Sequence, residues 1–398
     1  MVKNIYSLLA VAAIGALGAT LASCDDSDAA RDEGKTPRVD FVRVCNPAAA
    51  DSLITSAPMG QQIVLMGENL GDVREIYFND VKGLLNPTLI TSFSIIVDVP
   101  DQIPETVNNL ITLVTSKGNR ATYDFAVTVP APAISEISCE YARPGETITL
   151  TGNYFIEPTV YFPGVDVPAN VLASNINSIT VEVPQGVEEG PVVVESIYGR
   201  GRTKFNFLDT NGLLTNFDDG YEQPWGRGTI ASEDGISGNY LLFESPMMSA
   251  WGWSDSLMWG YWAYAPGAHG NSPIAQGDIN DLALKFEANI ETWIDCPMLI
   301  WFQEWNPNGN ISPDDPLAQC HWKPYIKNGI KQDAATGGWV TVTIPLTEFR
   351  FDKEESVNNL SIGDITRYTD LNIMFFGACD DPGPLKIKLD NLRIVNIR

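Results

Sequence analysis

Two residue types in this chain could do chemistry: paired carboxylates and clustered indoles. The run "EANIE" puts Glu287, Asn289 and Glu291 at alternate positions, hence on one face of an extended strand. Two carboxyls on one face are the minimum for acid-assisted glycoside hydrolysis. In retaining enzymes they stand about 5–5.5 Å apart, one as acid and one as nucleophile. Here an amide holds the middle position, and alternating carboxylates are also an ordinary way to wet a strand face. The chain has two histidines, His269 and His321, and no G-x-S-x-G motif, so nucleophilic catalysis has no sequence support.

The indoles are more telling. All ten tryptophans lie between Trp225 and Trp339. An indole face is apolar and slightly negative, and one face of a pyranose ring presents apolar, slightly positive C–H groups. Stacking buries both while the hydroxyls stay solvated at the ring edge, worth ~1–3 kcal/mol per platform by analogy with base stacking. In "LIWFQEW", Ile300 and Phe302 share one face, the one expected toward the core. Trp301, Gln303 and Trp305 share the other, two indoles flanking an amide. "HWKPYIKNG" adds Trp322 and Tyr325, with Lys323 as a donor, and "AWGWSDSLMWGYWAYAP" adds Trp253 and Trp259. These seven residues (Trp253, Trp259, Trp301, Gln303, Trp305, Trp322 and Tyr325) are the expected glycan-binding set. Trp225, Trp293 and Trp339 read as structural.

These side chains must be positioned by strands. From Thr210 onward the sequence alternates over short runs such as "LALKFEANI", "GWVTVTIPL" and "LKIKLDNLRIV", with no sustained helical period. That pattern predicts a larger jelly-roll-like β-sandwich over 210–398. Jelly-roll binding modules often hold a structural calcium between first and last strands, and Asp219 and Asp390 fall at those places. No cofactor is otherwise required.

Upstream, "GQQIVLMGENLGDVREIYFNDV" from Gly60 recurs as "GETITLTGNYFIEPTVYFPGV" from Gly145. "SFSIIVDVP" from Ser92 likewise recurs as "INSITVEVP" from Ile176. Each unit reads as short strands punctuated by Gly, Pro and Asn, the pattern of a small immunoglobulin-like sandwich. The units span 37–129 and 130–209, joined by the stiff "PAP" of Pro130–Pro132. Neither carries a chemical constellation. The fold class expected is therefore all-β: two tandem immunoglobulin-like sandwiches and a larger third one.

Charge and targeting narrow the partners. With 25 Lys+Arg against 50 Asp+Glu, the net charge of −25 repels phosphate backbones, excluding nucleic acid and favouring neutral ligands. Lys3, the apolar run "LLAVAAIGALGATLA" and the closing "LASC" make residues 1–23 a signal peptide and Cys24 the lipidated residue of a lipobox. Residues 24–36, opening with "DDSD", read as a flexible tether. Of the remaining cysteines, Cys45, Cys139, Cys296, Cys320 and Cys379, the pair Cys296–Cys320 is the first to test for a disulfide, with buried free thiols as the alternative.

Four resemblances follow. "PGETITLTG" with the later "ITVEVP" resembles the IPT/TIG family of immunoglobulin-like domains, which often act as spacers. "NFDDG" at Asn216, "SGNYLLF" at Ser237, "HWKPY" at His321, "GGWVTVTIPLTEF" at Gly337 and "LDNLRIV" at Leu389 resemble the C-terminal domain of the Bacteroidota surface glycan-binding proteins, a group with xyloglucan-binding members. "DDSD" resembles the export signal of lipoproteins sent to the outer face of that phylum's outer membrane. Together these imply a non-catalytic lipoprotein, lipid-anchored in the outer membrane and facing the exterior. It would capture a polysaccharide beside an outer-membrane transporter complex and a surface glycanase. "EANIE" loosely resembles the Glu-x-Asp-x-Glu strand of laminarinase-type hydrolases, with Asn289 in place of the aspartate. A jelly-roll hydrolase and a protein-binding adhesin are the rival readings.

Overall fold

The computed structural model describes residues 27–49, 51–218, 228–248, 257–262, 272–304, 318–375 and 383–398. The signal peptide, Cys24, Cys379 and the tryptophans at 225, 251, 253 and 305 lie outside them. The chain divides into two compact units, Met1–Val129 and Pro130–Arg398. Among the described residues no helix is long and apolar enough to cross a membrane.

The first unit holds one sandwich. One sheet runs Leu53–Ile54, Arg38–Val44, Gln62–Glu68, Ser94–Asp98. The other runs Val81–Gly83, Val73–Phe78, Leu110–Thr115, Arg120–Asp124. Between them Val42, Ile63, Leu65, Ile76, Phe78, Ile95 and Ile111 form the core. Residues 28–36, expected to be a free tether, pack onto this sandwich instead. Ser27 caps a short helix, Asp28–Asp32. The buried Asp32 carboxylate accepts a hydrogen bond from the Gly71 amide at 3.0 Å, and Ser92 donates to Asp28 at 3.1 Å. A Cβ at Gly71 would stand 2.4 Å from the Asp28 carbonyl oxygen, so the contact requires glycine.

The second sandwich repeats three neighbouring strands of each sheet and differs at the edges. Ala133–Ile137, Thr147–Asn153, Ser178–Glu182 and Val171–Asn175 make one sheet, and Thr159–Tyr161, Val193–Ser196 and Gly199–Arg202 the other. Phe162 and Phe207 meet edge to face at 5.2 Å in its core. The recurring glycine of "LMG" and "LTG" has a physical reason. In each unit the first strand bulges, at Val39/Phe41 and at Ile134/Glu136. The bulge brings a carbonyl oxygen against the glycine: a Cβ at Gly67 would sit 1.9 Å from Arg38 O, and one at Gly152 2.0 Å from Ala133 O.

The third sandwich stacks two antiparallel sheets. The larger runs Thr229–Ala231, Tyr240–Met248, Gly383–Asn396, Leu282–Thr292, Trp339–Pro345, with Leu213–Thr215 also on the Gly383 strand. The smaller runs Leu257–Trp262, Asp370–Phe375, Met298–Gln303, Gln319–Trp322. Leu284, Phe286, Ala288 and Ile290 face Ile300, Phe302, Ile373 and Phe375 across the core. Cys296 and Cys320 are both buried in that core and are not joined to each other, so the disulfide tested first is not formed.

Candidate functional site

Register places the sequence-predicted residues on the smaller sheet. Ile300 pairs with Cys320 and Ile373, and Phe302 with Leu371, all buried, so this is the core face. Trp301 pairs with Gln319 on one side and Asn372 on the other, and Gln303 with Asp370. The opposite face thus carries an indole between two amides, and an amide beside a carboxylate. The alternation argument assigns both faces correctly.

It does not predict their exposure. Trp301 is 0% exposed, as are Asn372 and Gln319, and Asp370 is 2% exposed. The expectation that Trp301 presents an open platform is corrected: both faces of the sheet are covered at this register. Its buried indole N–H has no hydrogen-bond partner among the described residues. A donor left unsatisfied in such a place costs about 1–3 kcal/mol. Gln303, half-buried, accepts from Asn372 Nδ2 at 3.5 Å and stands at the sheet's open end, where exposed Glu304 is paired with Arg367.

Trp322 and Tyr325 are also corrected. Trp322 pairs with Met298 on the core side and meets Phe286 edge to face at 5.3 Å and Trp293 at 5.2 Å. Tyr325 is 8% exposed within the same cluster. Trp322 ends the strand two residues after core-facing Cys320 and shares its face, and the turn that follows carries Tyr325 inward, where aromatic burial outweighs display. Trp293, read as structural, is so: its indole N–H donates to Cys296 O at 2.9 Å. Lys323 is held by Glu355 at 2.5 Å. His321 lies beside them, its Nε2 2.8 Å from Asp352 O, and burial holds its pKa below the ordinary value. The backbone of Trp259 pairs with Ile373; its side chain, like Trp253 and Trp305, lies outside what is described.

The larger sheet's outward face explains "EANIE". Glu287 is 0% exposed and forked by Arg393, with Nη1 2.8 Å from Oε2 and Nη2 3.0 Å from Oε1. Arg393 Nη2 also donates to Glu140 of the second sandwich at 2.7 Å, and Lys285 donates to Glu140 at 2.5 Å. Thr341 donates to Glu287 at 2.9 Å and accepts from the Glu140 amide at 2.7 Å. Tyr141 and Phe205 close the seam, their ring centres 4.9 Å from the guanidinium and 4.3 Å from the Lys285 ammonium. Burial raises the Glu287 pKa against the pull of Arg393. Burial alone would lower the Arg393 pKa, but Glu287 and then Glu140 raise it. Farther along, Glu291 is held by Lys386 at 2.9 Å and Lys388 at 3.6 Å. These carboxylates serve a domain joint and a surface ion pair; they do not face one another across a cleft.

Asp390, expected as a calcium ligand, is 0% exposed. Its Oδ2 accepts from Ser237 at 2.9 Å and its Oδ1 from the Asn391 amide at 2.7 Å. Burial pushes its pKa up to about 7. Asp219 lies outside the described residues, and among those described no group of three or more acidic, Cys or His side chains is arranged for a metal ion. The described donors therefore do not by themselves make a calcium site.

A two-sheet sandwich with an aromatic–amide face, docked on an immunoglobulin-like module, has the architecture of a carbohydrate-binding protein. Comparison with known proteins gives matches domain by domain. Residues 207–396 match the surface glycan-binding protein B xyloglucan binding domain, and residues 132–207 match the IPT/TIG domain. The C-terminal sandwich is thus similar to the first of these domains and the second sandwich to the other. The crystal structure of the surface glycan-binding protein PbSGBP-B from Prevotella bryantii is similar, with 27% identity and a TM-score of 0.76, over 91% of this chain and 99% of that one. An IPT/TIG domain-containing protein of Bacteroides ovatus is 32% identical over 204 residues, 46% of this chain and 41% of the relative. The match thus spans about two fifths of that relative's length.

Proposed function

We propose that this chain is a non-catalytic, lipid-anchored surface protein that binds a neutral polysaccharide through its C-terminal sandwich. Xyloglucan is the first ligand to test. The observation that carries the reading is the family match over 207–396, on a sandwich whose smaller sheet bears the Gln319–Trp301–Asn372 layer. Trp305 and Trp253 are the leading binding aromatics, with Gln303 at the end of that layer. Cys24 carries the lipid, and the protein faces the cell exterior from the outer membrane. There it hands glycan to a transporter complex and works beside a surface glycanase. A net charge of −25 supports a neutral ligand. Single-site affinity is ~µM to mM, reinforced by many copies on one polymer. No cofactor takes part; a structural calcium at Asp219 and Asp390 would show as a chelator-sensitive melting temperature.

Calorimetry or affinity electrophoresis of the mature chain against neutral plant, fungal and microbial glycans tests the reading. Saturable binding without reducing-end release supports it. Reducing-end release would instead favour the hydrolase, and absence of binding across the panel would sink the glycan reading.

A further inference from the structure

At the seam between the second and third sandwiches lies a cavity of 600 Å³, remote from the smaller sheet. Its walls come from both sandwiches: Arg143 and Glu146 from one, Asp234, Asn289 and Trp339 from the other. Trp339 opens its strand directly across from Asn289, so the two side chains share the outward face of the larger sheet. The half-buried indole is fixed from two sides. Its N–H donates to Asp234 O at 3.3 Å, and Tyr240 meets it edge to face at 5.7 Å. The neighbouring Asn289 amide makes no hydrogen bond to the described residues. Gly337 and Gly338 precede the indole, and a Cβ at either would meet nothing within 4 Å, which leaves the approach open.

Charge decides what can enter. Arg143 is spent within the wall: it donates to Glu146 at 3.0 and 2.7 Å and to Gly235 O at 3.3 Å. With Glu146 and Asp234 against one arginine, the cavity is net negative and repels carboxylate or phosphate ligands. A rigid indole, a spare amide donor–acceptor and a carboxylate in a cavity within the usual range for small ligands match one chemistry. Sugar C–H groups stack on the indole while hydroxyls reach the amide and carboxylate.

We infer that this seam is a second glycan-binding site, taking a short neutral saccharide segment on Trp339 and Asn289. The inference rests on the glycan-binding reading and deepens it. Two sites on one polymer chain would raise retention without a tighter primary site.

The test uses the mature full chain labelled with 5-fluorotryptophan, titrated with a xyloglucan oligosaccharide and followed by ¹⁹F resonance. Trp339→Phe assigns the resonance. In the wild type, the Trp339 signal should shift saturably, separately from the tryptophans of the primary site. In Asn289→Ala the Trp339 shift should need about fivefold more ligand, while the other signals titrate unchanged. That variant keeps the indole and its packing, so the readout survives even if Trp339→Phe unfolds. If the other tryptophans titrate and Trp339 stays still, the second site is refuted and the glycan reading stands. If no signal moves, both are refuted.

Discussion

Replacing Arg393 by Met tests the physical account of the domain joint. Arg393 is fully buried, and its guanidinium makes three hydrogen bonds to two carboxylates, at 2.7, 2.8 and 3.0 Å. A fourth bond, to Asn391 O, is 2.8 Å long. Among the described residues its removal leaves the Glu287 carboxylate with Thr341 and the Glu140 carboxylate with Lys285, both carboxylates still buried. Breaking a buried pair by deleting one partner costs about 3–5 kcal/mol, far more than the net worth of the pair. For a domain of this size that is roughly 6–20 °C in melting temperature. Scanning calorimetry of the mature chain should show the transition of the third sandwich falling by that amount. The double variant Arg393→Met/Glu287→Leu should recover most of the loss, because an apolar pair of similar volume is near neutral. A loss below about 1 kcal/mol for the single variant, or no recovery in the double, would refute the reasoning.

Three further outcomes are expected. Since burial raises the Asp390 pKa to about 7, its stabilising contribution is complete below the unfolded value and is lost as pH rises through about 7. Asp390→Asn should therefore gain up to about 4 kcal/mol over wild type at pH 8 and little at pH 4, read by denaturant unfolding at both pH values; a gain independent of pH would contradict this. Trp301→Ala should lower stability by about 3–5 kcal/mol, whereas Trp305→Ala should weaken glycan binding at least tenfold with stability unchanged, as measured by melting and calorimetry in parallel; reversed roles would overturn the site assignment. Gly152→Ala, with Ala133 O 2.0 Å from the new Cβ, should cost about 1–3 kcal/mol of the second sandwich's stability, and amide exchange across Ala133–Ile137 should accelerate.

Much of the fold was legible because period-two alternation is a local signal. It separated Ile300 and Phe302 from Trp301 and Gln303, and Lys285, Glu287 and Asn289 from Phe286 and Ala288, as the register shows. What alternation cannot encode is what covers the second face. Trp301 and Glu287 both looked wet, and both are buried, one within its own sandwich and the other under the preceding one. The partner of Glu287 and Lys285, Glu140, lies far away in sequence and within a module that otherwise reads as a plain spacer. The one available hint was compositional: Arg393 and Lys285 alternate with core residues on strands that otherwise pack tightly. Trp322 follows core-facing Cys320 by two residues on the same strand, so alternation applied to that strand assigns it to the core; Tyr325 lies past the strand end, where turn geometry is poorly written in composition.

The docked helix Asp28–Asp32 sets a distance. With a diacyl chain on Cys24, Ser27 follows three residues later, a span of at most roughly 10 Å even when fully stretched. The first sandwich would then ride against the headgroups like a foot on a floor, without the swing of a long leash. Lengthening that short stem with Gly-Ser should change how far glycan capture extends from the bilayer, while solution affinity stays the same.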